Sequence, residues 1–238
     1  MPQPEEKKPS LLTRAIARFR ARRFAYLAKS LLILIIAYPY LEVDIPGQIA
    51  LTVITIFVMI SLVVAVSDKK RNIIIALCFV IPWFVSLIIN FPLFESARTI
   101  LVRKEIVFAV LLFSFTTFNI FMHLLKSREV TSEILFASVC VYLLIGLTWA
   151  ALYIFIDYVY PGSFIDTTAR VAIDAPRFLF FSYITLTTTG YGTLLPVSDP
   201  ARSLALLEAI IGQLYLAILV ARLVGLHLSK PKATDSGG

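Results

Sequence analysis

The sequence predicts an all-α membrane protein with six transmembrane helices per subunit and one short re-entrant helix. Of its 238 residues, 59% are hydrophobic and only 16% are charged, and the mean hydropathy is +0.87. Soluble domains do not have this composition. The charged residues cluster between apolar blocks, which is typical of a polytopic membrane protein.

Six apolar blocks account for the predicted spans. A helix that crosses a bilayer needs about 20 largely apolar residues. The blocks that come near or exceed this length are 29–43, 48–67, 72–91, 104–125, 132–159 and 200–228. Turn residues and charges separate them, as at Pro46-Gly47 and in the segment SDKKRN at 67–72.

The basic residues predict the orientation of the chain. With the N-terminus inside, 16 of the 22 Lys and Arg residues lie in inner segments. By the positive-inside rule, both termini are cytoplasmic in a multi-pass plasma-membrane protein. The compact chain suggests a bacterial inner membrane. The net charge of +7 is therefore explained by cytoplasmic loops, and no nucleic-acid partner is expected.

The N-terminal segment 1–28 can carry an interfacial helix over residues 11–28. An apolar face and a basic face alternate at helical spacing, formed by Leu12, Ile16 and Phe19 and by Arg14, Arg18 and Arg22. Such a helix lies on the inner membrane surface and contacts anionic lipid. The alternative is a solvated charge cluster that only sets the topology.

One apolar segment is too short to be a span. Asp174 can cap a helix with Pro176 in its first turn. The run Arg177–Thr187 would be about 16 Å long, so it fits a re-entrant helix entering from outside. Irregular backbone at that depth is tolerated only where it is buried in protein or lines a watery path.

The polar stretch TTTGYG at 187–192 follows this short helix, and we expect its main chain to supply the functional groups. Gly190 and Gly192 are spaced by two, and glycine adopts positive φ at little cost. Alternate unusual dihedrals can aim successive carbonyls in one direction, and Thr188 adds a hydroxyl acceptor. Rings of such oxygens can replace the hydration shell of a cation. The negative C-terminal end of the short helix also favours a cation at this position.

TTTGYG resembles the potassium-channel signature T-V-G-Y-G preceded by Thr. From about 131 to 228 the arrangement resembles the pore domain of the potassium-channel pore-loop superfamily, six-transmembrane type, with outer helix, pore helix, selectivity filter and inner helix. The resemblance implies that the carbonyls of Thr188, Thr189, Gly190 and Tyr191, with the Thr188 hydroxyl, hold K⁺. It implies that Gly192 closes the outer mouth and that the Tyr191 ring braces the filter.

The resemblance also implies the domain organisation and the assembly. A four-helix sensor-like domain over 29–128 precedes a pore domain over 129–230, and 231–238 form a disordered tail. One chain supplies one pore loop, whereas a ring of carbonyls needs about four copies. A homotetramer is therefore expected.

The last span holds further candidate residues. Gly212 matches the hinge glycine of the family, and the alternative is close packing between helices. One helix face, predicted to line the cavity and inner gate, carries Gln213, Leu216, Val220 and Val224. Glu208 lies one turn before Gly212, and a carboxylate in a span is expensive. It could bond the back of the pore helix, tune gating by protonation, or be a partly wet residue with no special role.

Several positions depart from the family pattern. Thr193 stands where Asp is common, Ile184 where some members have Glu, and Thr189 where Val is usual. Phe180-Phe181 stands where Trp is frequent. These departures put the side-chain hydrogen bonds that stiffen the filter, and any inactivation behaviour, in question.

The fourth span offers no charged voltage sensor. Arg98, Arg103 and Lys104 all lie near its outer end, and no Lys or Arg follows from Ile106 to Leu125. A sensor needs positive residues along the span that move in the membrane field. Gating by voltage in the usual way is therefore not expected.

The predicted function is passive, potassium-selective conduction, with K⁺ in the filter and no cofactor. The alternatives are a weakly selective cation channel, suggested by Thr189 and Thr193, and a non-conducting regulatory subunit. No enzyme is expected, because there is no nucleophile with a base, no paired carboxylates and no phosphate loop. Cys78, Cys140, His123 and His227 lie in or beside apolar runs without the spacing of metal ligands.

Overall fold

The computed structural model describes residues 22–41, 44–89, 98–168 and 174–228, with backbone alone for 86–89, 98–105 and 227–228. Most of the predicted interfacial helix, and the tail 231–238, lie outside the described residues. The described part contains seven helices: α1 (Arg23–Leu41), α2 (Ile45–Ala65), α3 (Lys70–Ile89), α4 (Arg98–Lys126), α5 (Ser132–Val159), α6 (Ala175–Leu186) and α7 (Asp199–Leu228).

Five segments of these helices are long and apolar enough to cross a membrane. They are Arg23–Leu41, Ile45–Ala65, Ile106–Lys126, Ser132–Val159 and Asp199–Leu226. The prediction of a mostly helical membrane protein is confirmed. The predicted third span, 72–91, overlaps α3, which begins two residues earlier, and its residues 90 and 91 lie outside the described residues. Because α3 is not among the five, the count of six spans stays a prediction.

Side-chain caps set where three of the helices begin. Asp44 accepts a hydrogen bond from the Gly47 amide (3.0 Å), and Thr131 accepts one from the Ile134 amide (3.3 Å). Asp174 caps α6, as the sequence predicts, and Pro follows in the first turn. Such caps satisfy amides that the first helical turn leaves unpaired.

The helix α1 begins six residues earlier than the predicted span 29–43. Phe24, Leu27 and Ala28 are buried, so they extend the apolar face that packs against α5. The Phe24 carbonyl accepts a hydrogen bond from the Cys140 thiol (3.3 Å). Tertiary packing therefore includes residues that the sequence assigned to the N-terminal segment.

The helices α4 and α5 form a tight hairpin, joined by residues 127–131, and make the most extensive contact in the fold. The helix α1 packs on both α2 and α5. Fully buried Leu27, Leu31, Leu112 and Leu144 belong to this core. Of the first four helices, α1 and α4 therefore pack directly on α5 of their own chain, whereas α2 packs on α1 and α3 packs on α4.

Two short strands were not predicted. The strand β1 (Phe164–Asp166) pairs antiparallel with β2 (Leu194–Pro196), with Ile165 opposite Leu195. They join the segment after α5 to the segment that precedes α7. The helix α6 lies between them in sequence and packs against both α5 and α7.

Candidate functional site

The helix α6 has 12 residues, which corresponds to about 18 Å. The hydrocarbon core of a bilayer is about 30 Å thick, so α6 is too short to cross it. The helix ends at Leu186, and Thr187 is its C-cap. The chain then continues as an irregular loop through residues 187–193.

The backbone of this loop is left-handed at alternate residues. The φ angles are 57° at Thr188, 59° at Gly190 and 76° at Gly192. In an ordinary extended chain successive carbonyls point to opposite sides, and alternate residues with positive φ can turn them toward a common side. The positive φ angles that a row of carbonyl ligands requires are therefore present at every second residue of the loop.

Thr188 is the part of this pattern that the glycine spacing did not reveal. It is the one non-glycine residue with positive φ in the described part of the chain. The left-handed conformation costs about 1–2 kcal/mol for a residue with a Cβ. Strain of this kind persists only where the surroundings hold it.

Main-chain hydrogen bonds fix the loop to the end of α6. The amides of Thr189 and Gly190 both donate to the Ile184 carbonyl, at 2.8 and 3.1 Å. The Thr188 hydroxyl donates to the Thr187 carbonyl (2.7 Å) and accepts from the Gln213 side-chain amide of α7 (3.1 Å). Gln213 thus lies at the end of the loop that is nearer the helix, beside the predicted hydroxyl ligand.

The other end of the loop is held by the segment after β1. The Thr193 carbonyl accepts hydrogen bonds from the Thr167 amide (2.9 Å) and the Thr167 hydroxyl (3.1 Å). Arg177 of α6 forms an ion pair with Asp166 at 3.2 Å. The sheet and these contacts connect the loop to both flanking segments.

The Tyr191 ring stacks on the Phe180 ring of α6, with the centroids 6.0 Å apart and the planes 4° from parallel. Tyr191 is 70% exposed and Phe180 is 47% exposed in the single chain. Among the described residues, the Tyr191 ring thus stacks on Phe180, and most of the Tyr191 side chain is exposed in the single chain.

Two close contacts lock α6 between its neighbouring helices. A Cβ added to Gly146 of α5 would lie 2.5 Å from the Tyr183 ring, and the Tyr183 hydroxyl donates to the Leu143 carbonyl (2.7 Å). A Cβ added to Gly212 of α7 would clash with the Leu186 carbonyl oxygen of α6. Close packing at Gly212 is thus observed, and a hinge role stays a prediction.

Glu208 is fully buried and bonds to both neighbouring helices. Its two carboxyl oxygens lie 2.5 Å from the Ser182 hydroxyl of α6 and 2.5 Å from the Tyr153 hydroxyl of α5. The contact with the back of the short helix, one of three interpretations of this residue, is present. Sequence reasoning missed Ser182 and Tyr153, although a hydroxyl inside a short apolar helix was an available signal.

The remaining predicted residues lie on one face of α7. Leu216, Val220 and Val224 are 40%, 58% and 51% exposed in the single chain, and Gln213 is exposed as well. Among the described residues, no group of three or more His, Cys, Asp and Glu could hold a metal ion. The assignment of the loop carbonyls and the Thr188 hydroxyl as cation ligands stays a prediction.

Comparison with known proteins gives one match. Residues 141–226 match a protein-family model described as ion channel, and this range holds most of α5, all of α6, the loop and nearly all of α7. The match indicates an ion channel. Searches of the curated proteins and of the solved structures found no match.

Proposed function

We propose that the chain forms a homotetrameric channel that conducts K⁺ passively through the carbonyls of Thr188, Thr189, Gly190 and Tyr191. The observation that carries this proposal is the left-handed backbone at Thr188, Gly190 and Gly192. Carbonyl oxygens aimed at one axis can replace the hydration shell of K⁺. The C-terminal end of α6, which has a partial negative charge, also favours a cation at the loop.

The number of loops per chain and the surface of α7 support the proposed tetramer. Each chain supplies one loop, and a closed ring of oxygens needs about four. The helix α7 exposes Leu206, Ile210 and Leu214 at 45–63% in the single chain. Neighbouring copies around the axis, together with lipid, would cover this apolar surface.

Gating is proposed to be independent of a charged sensor. From Ile106 to Leu125 the helix α4 has no Lys or Arg, so it carries no row of charges to move in the membrane field. The proposed setting is a plasma membrane with both termini cytoplasmic and the N-terminal segment on anionic lipid.

Flux into liposomes tests the proposal. Purified protein is reconstituted, and K⁺-gradient-driven uptake is measured with and without competing Na⁺, with Gly190→Asp as the inactive control. Flux that favours K⁺ and is lost in the variant supports the proposal. Equal flux of both ions would indicate a weakly selective cation channel, and a tetramer without flux at any voltage or pH would indicate a non-conducting subunit.

A further inference from the structure

The buried cluster around Glu208 contains three short oxygen–oxygen contacts. The Ser182 hydroxyl lies 2.7 Å from the Gly146 carbonyl oxygen and 2.5 Å from one Glu208 carboxyl oxygen. The Tyr153 hydroxyl lies 2.5 Å from the other carboxyl oxygen. Oxygen atoms this close need a proton between them.

Counting protons shows that the hydroxyls alone cannot supply these contacts. Ser182 and Tyr153 carry one hydroxyl proton each, which is enough for two of the three. The Gly146 carbonyl has no proton to donate, so the Ser182 proton points to it. The contact between Ser182 and Glu208 then lacks a proton unless the carboxyl group provides it.

We infer that Glu208 carries a proton and donates it to the Ser182 hydroxyl, which makes a neutral hydrogen-bonded chain from α7 through α6 to α5. Glu208 then accepts from Tyr153 through its second oxygen, and Ser182 passes its own proton to Gly146. All three contacts are satisfied, and no charge is buried. Glu208 is in this role a positioning residue for α6, whose C-terminal end carries the loop.

The surroundings favour the neutral form. Glu208 is 0% exposed, and no Lys, Arg or His forms an ion pair with it among the described residues. A buried carboxylate without a cation is strongly disfavoured. The titratable side chains that interact electrostatically with it are phenols on α5 and α6, those of Tyr142, Tyr153 and Tyr183.

The charged residues on the helix of Glu208 itself do not reach the cluster. Arg202 lies six residues earlier, is exposed, and pairs with Asp199 at 3.9 Å. Release of the proton would therefore place an unpaired negative charge between three packed helices. The single Ser182 proton would then serve only one of its two acceptors, Glu208 or the Gly146 carbonyl, so α6 would lose one of its two bonds to the neighbouring helices.

Infrared spectroscopy of the folded protein tests the proton directly. The native protein should show the carbonyl stretch of a protonated carboxylic acid, and Glu208→Gln should lose this band. The matched control is Glu133→Gln, in the first turn of α5, which should keep it. Ser182→Ala removes the acceptor of the proton, so it should shift the band without abolishing it. Absence of the band in the native protein, or its persistence in Glu208→Gln, would overturn the inference.

The pH dependence of flux tests the consequence, and this part rests on the proposed conduction of K⁺. A glutamine has the shape of a protonated glutamate and can donate to Ser182 while accepting from Tyr153. We expect the K⁺ flux of the native protein to fall at alkaline pH, where Glu208 loses its proton. Glu208→Gln should keep the flux at neutral pH and should not show this fall. Identical pH profiles in the two proteins would contradict the positioning role. The infrared band without any flux would uphold the proton and refute conduction.

Discussion

Replacing Gly212 by alanine tests how tightly α7 packs on the end of α6. The new Cβ would clash with the Leu186 carbonyl oxygen, because ordinary van der Waals contacts begin near 3.4 Å. The neighbouring atom is main chain, so it cannot move aside as the end of a flexible side chain would. The two helices must therefore shift relative to each other to accommodate it.

The same helix provides a matched control at Gly225, where an added Cβ meets nothing within 4 Å. Replacing glycine by alanine inside a helix stabilises it by about 0.5–1 kcal/mol, and both variants gain this term. Only Gly212→Ala also introduces overpacking, which costs about 1–3 kcal/mol. The free energy of unfolding should therefore be lower in Gly212→Ala than in Gly225→Ala by about 1–3 kcal/mol.

Denaturant unfolding in detergent and K⁺ flux in liposomes measure the two consequences. The close contact predicts that Gly212→Ala loses both stability and flux, because the end of α6 carries the loop. A pure hinge role predicts reduced flux at unchanged stability. Equal stability of Gly212→Ala and Gly225→Ala would refute the packing argument.

Two further predictions concern the loop. Gly190→Ala places a Cβ on a residue with φ 59°, which costs about 1–2 kcal/mol, and should abolish K⁺ flux. The control is Gly162→Ala, at φ 80° before β1, which should lose similar stability on denaturant unfolding but keep its K⁺ flux. Equal flux in the two variants would argue against conduction through the loop. Thr167→Val removes the hydroxyl bond to the Thr193 carbonyl, worth about 1 kcal/mol, and should lower the preference for K⁺ over Na⁺ in flux. The control is Thr168→Val, because the native Thr168 hydroxyl donates to Asp166 and not to the loop, and this variant should preserve the preference for K⁺. An equal loss of the preference in both variants would indicate that the effect does not depend on the bond to Thr193.

The long helices could be predicted because their signals are local. The span 132–159 coincides with α5, and 200–228 differs from α7 by one residue at its start. Each combines a long apolar block with turn residues or a cap at its ends. The strands β1 and β2 have three residues each, which is too short for an alternating pattern, so they form only because tertiary contacts bring the two segments together.

The contacts around the site could be predicted only in part. The glycine spacing at 190 and 192 indicated alternate left-handed residues, but a β-branched residue argues against that conformation at Thr188. The partners of Glu208 are 26 and 55 residues away in sequence. No periodicity links a serine in α6 with a tyrosine in α5, so only the fold reveals that they meet at one carboxyl group.

The positions at which the sequence departs from the potassium-channel signature that it resembles can be examined in the way the loop is held. The main-chain carbonyl of Ile184 accepts hydrogen bonds from the amides of Thr189 and Gly190. This acceptor is present whatever side chain stands at position 184. At Thr193 it is again the carbonyl that is held, by Thr167. A carboxylate at either position is not needed for these bonds. Glu208 of α7 instead supplies a fully buried carboxyl group behind the helix, and it bonds to two side-chain hydroxyls. Support for the loop thus depends on the position of α6 as a whole, so changes at the α6–α7 contact should disturb it more than changes of side chain beside the loop.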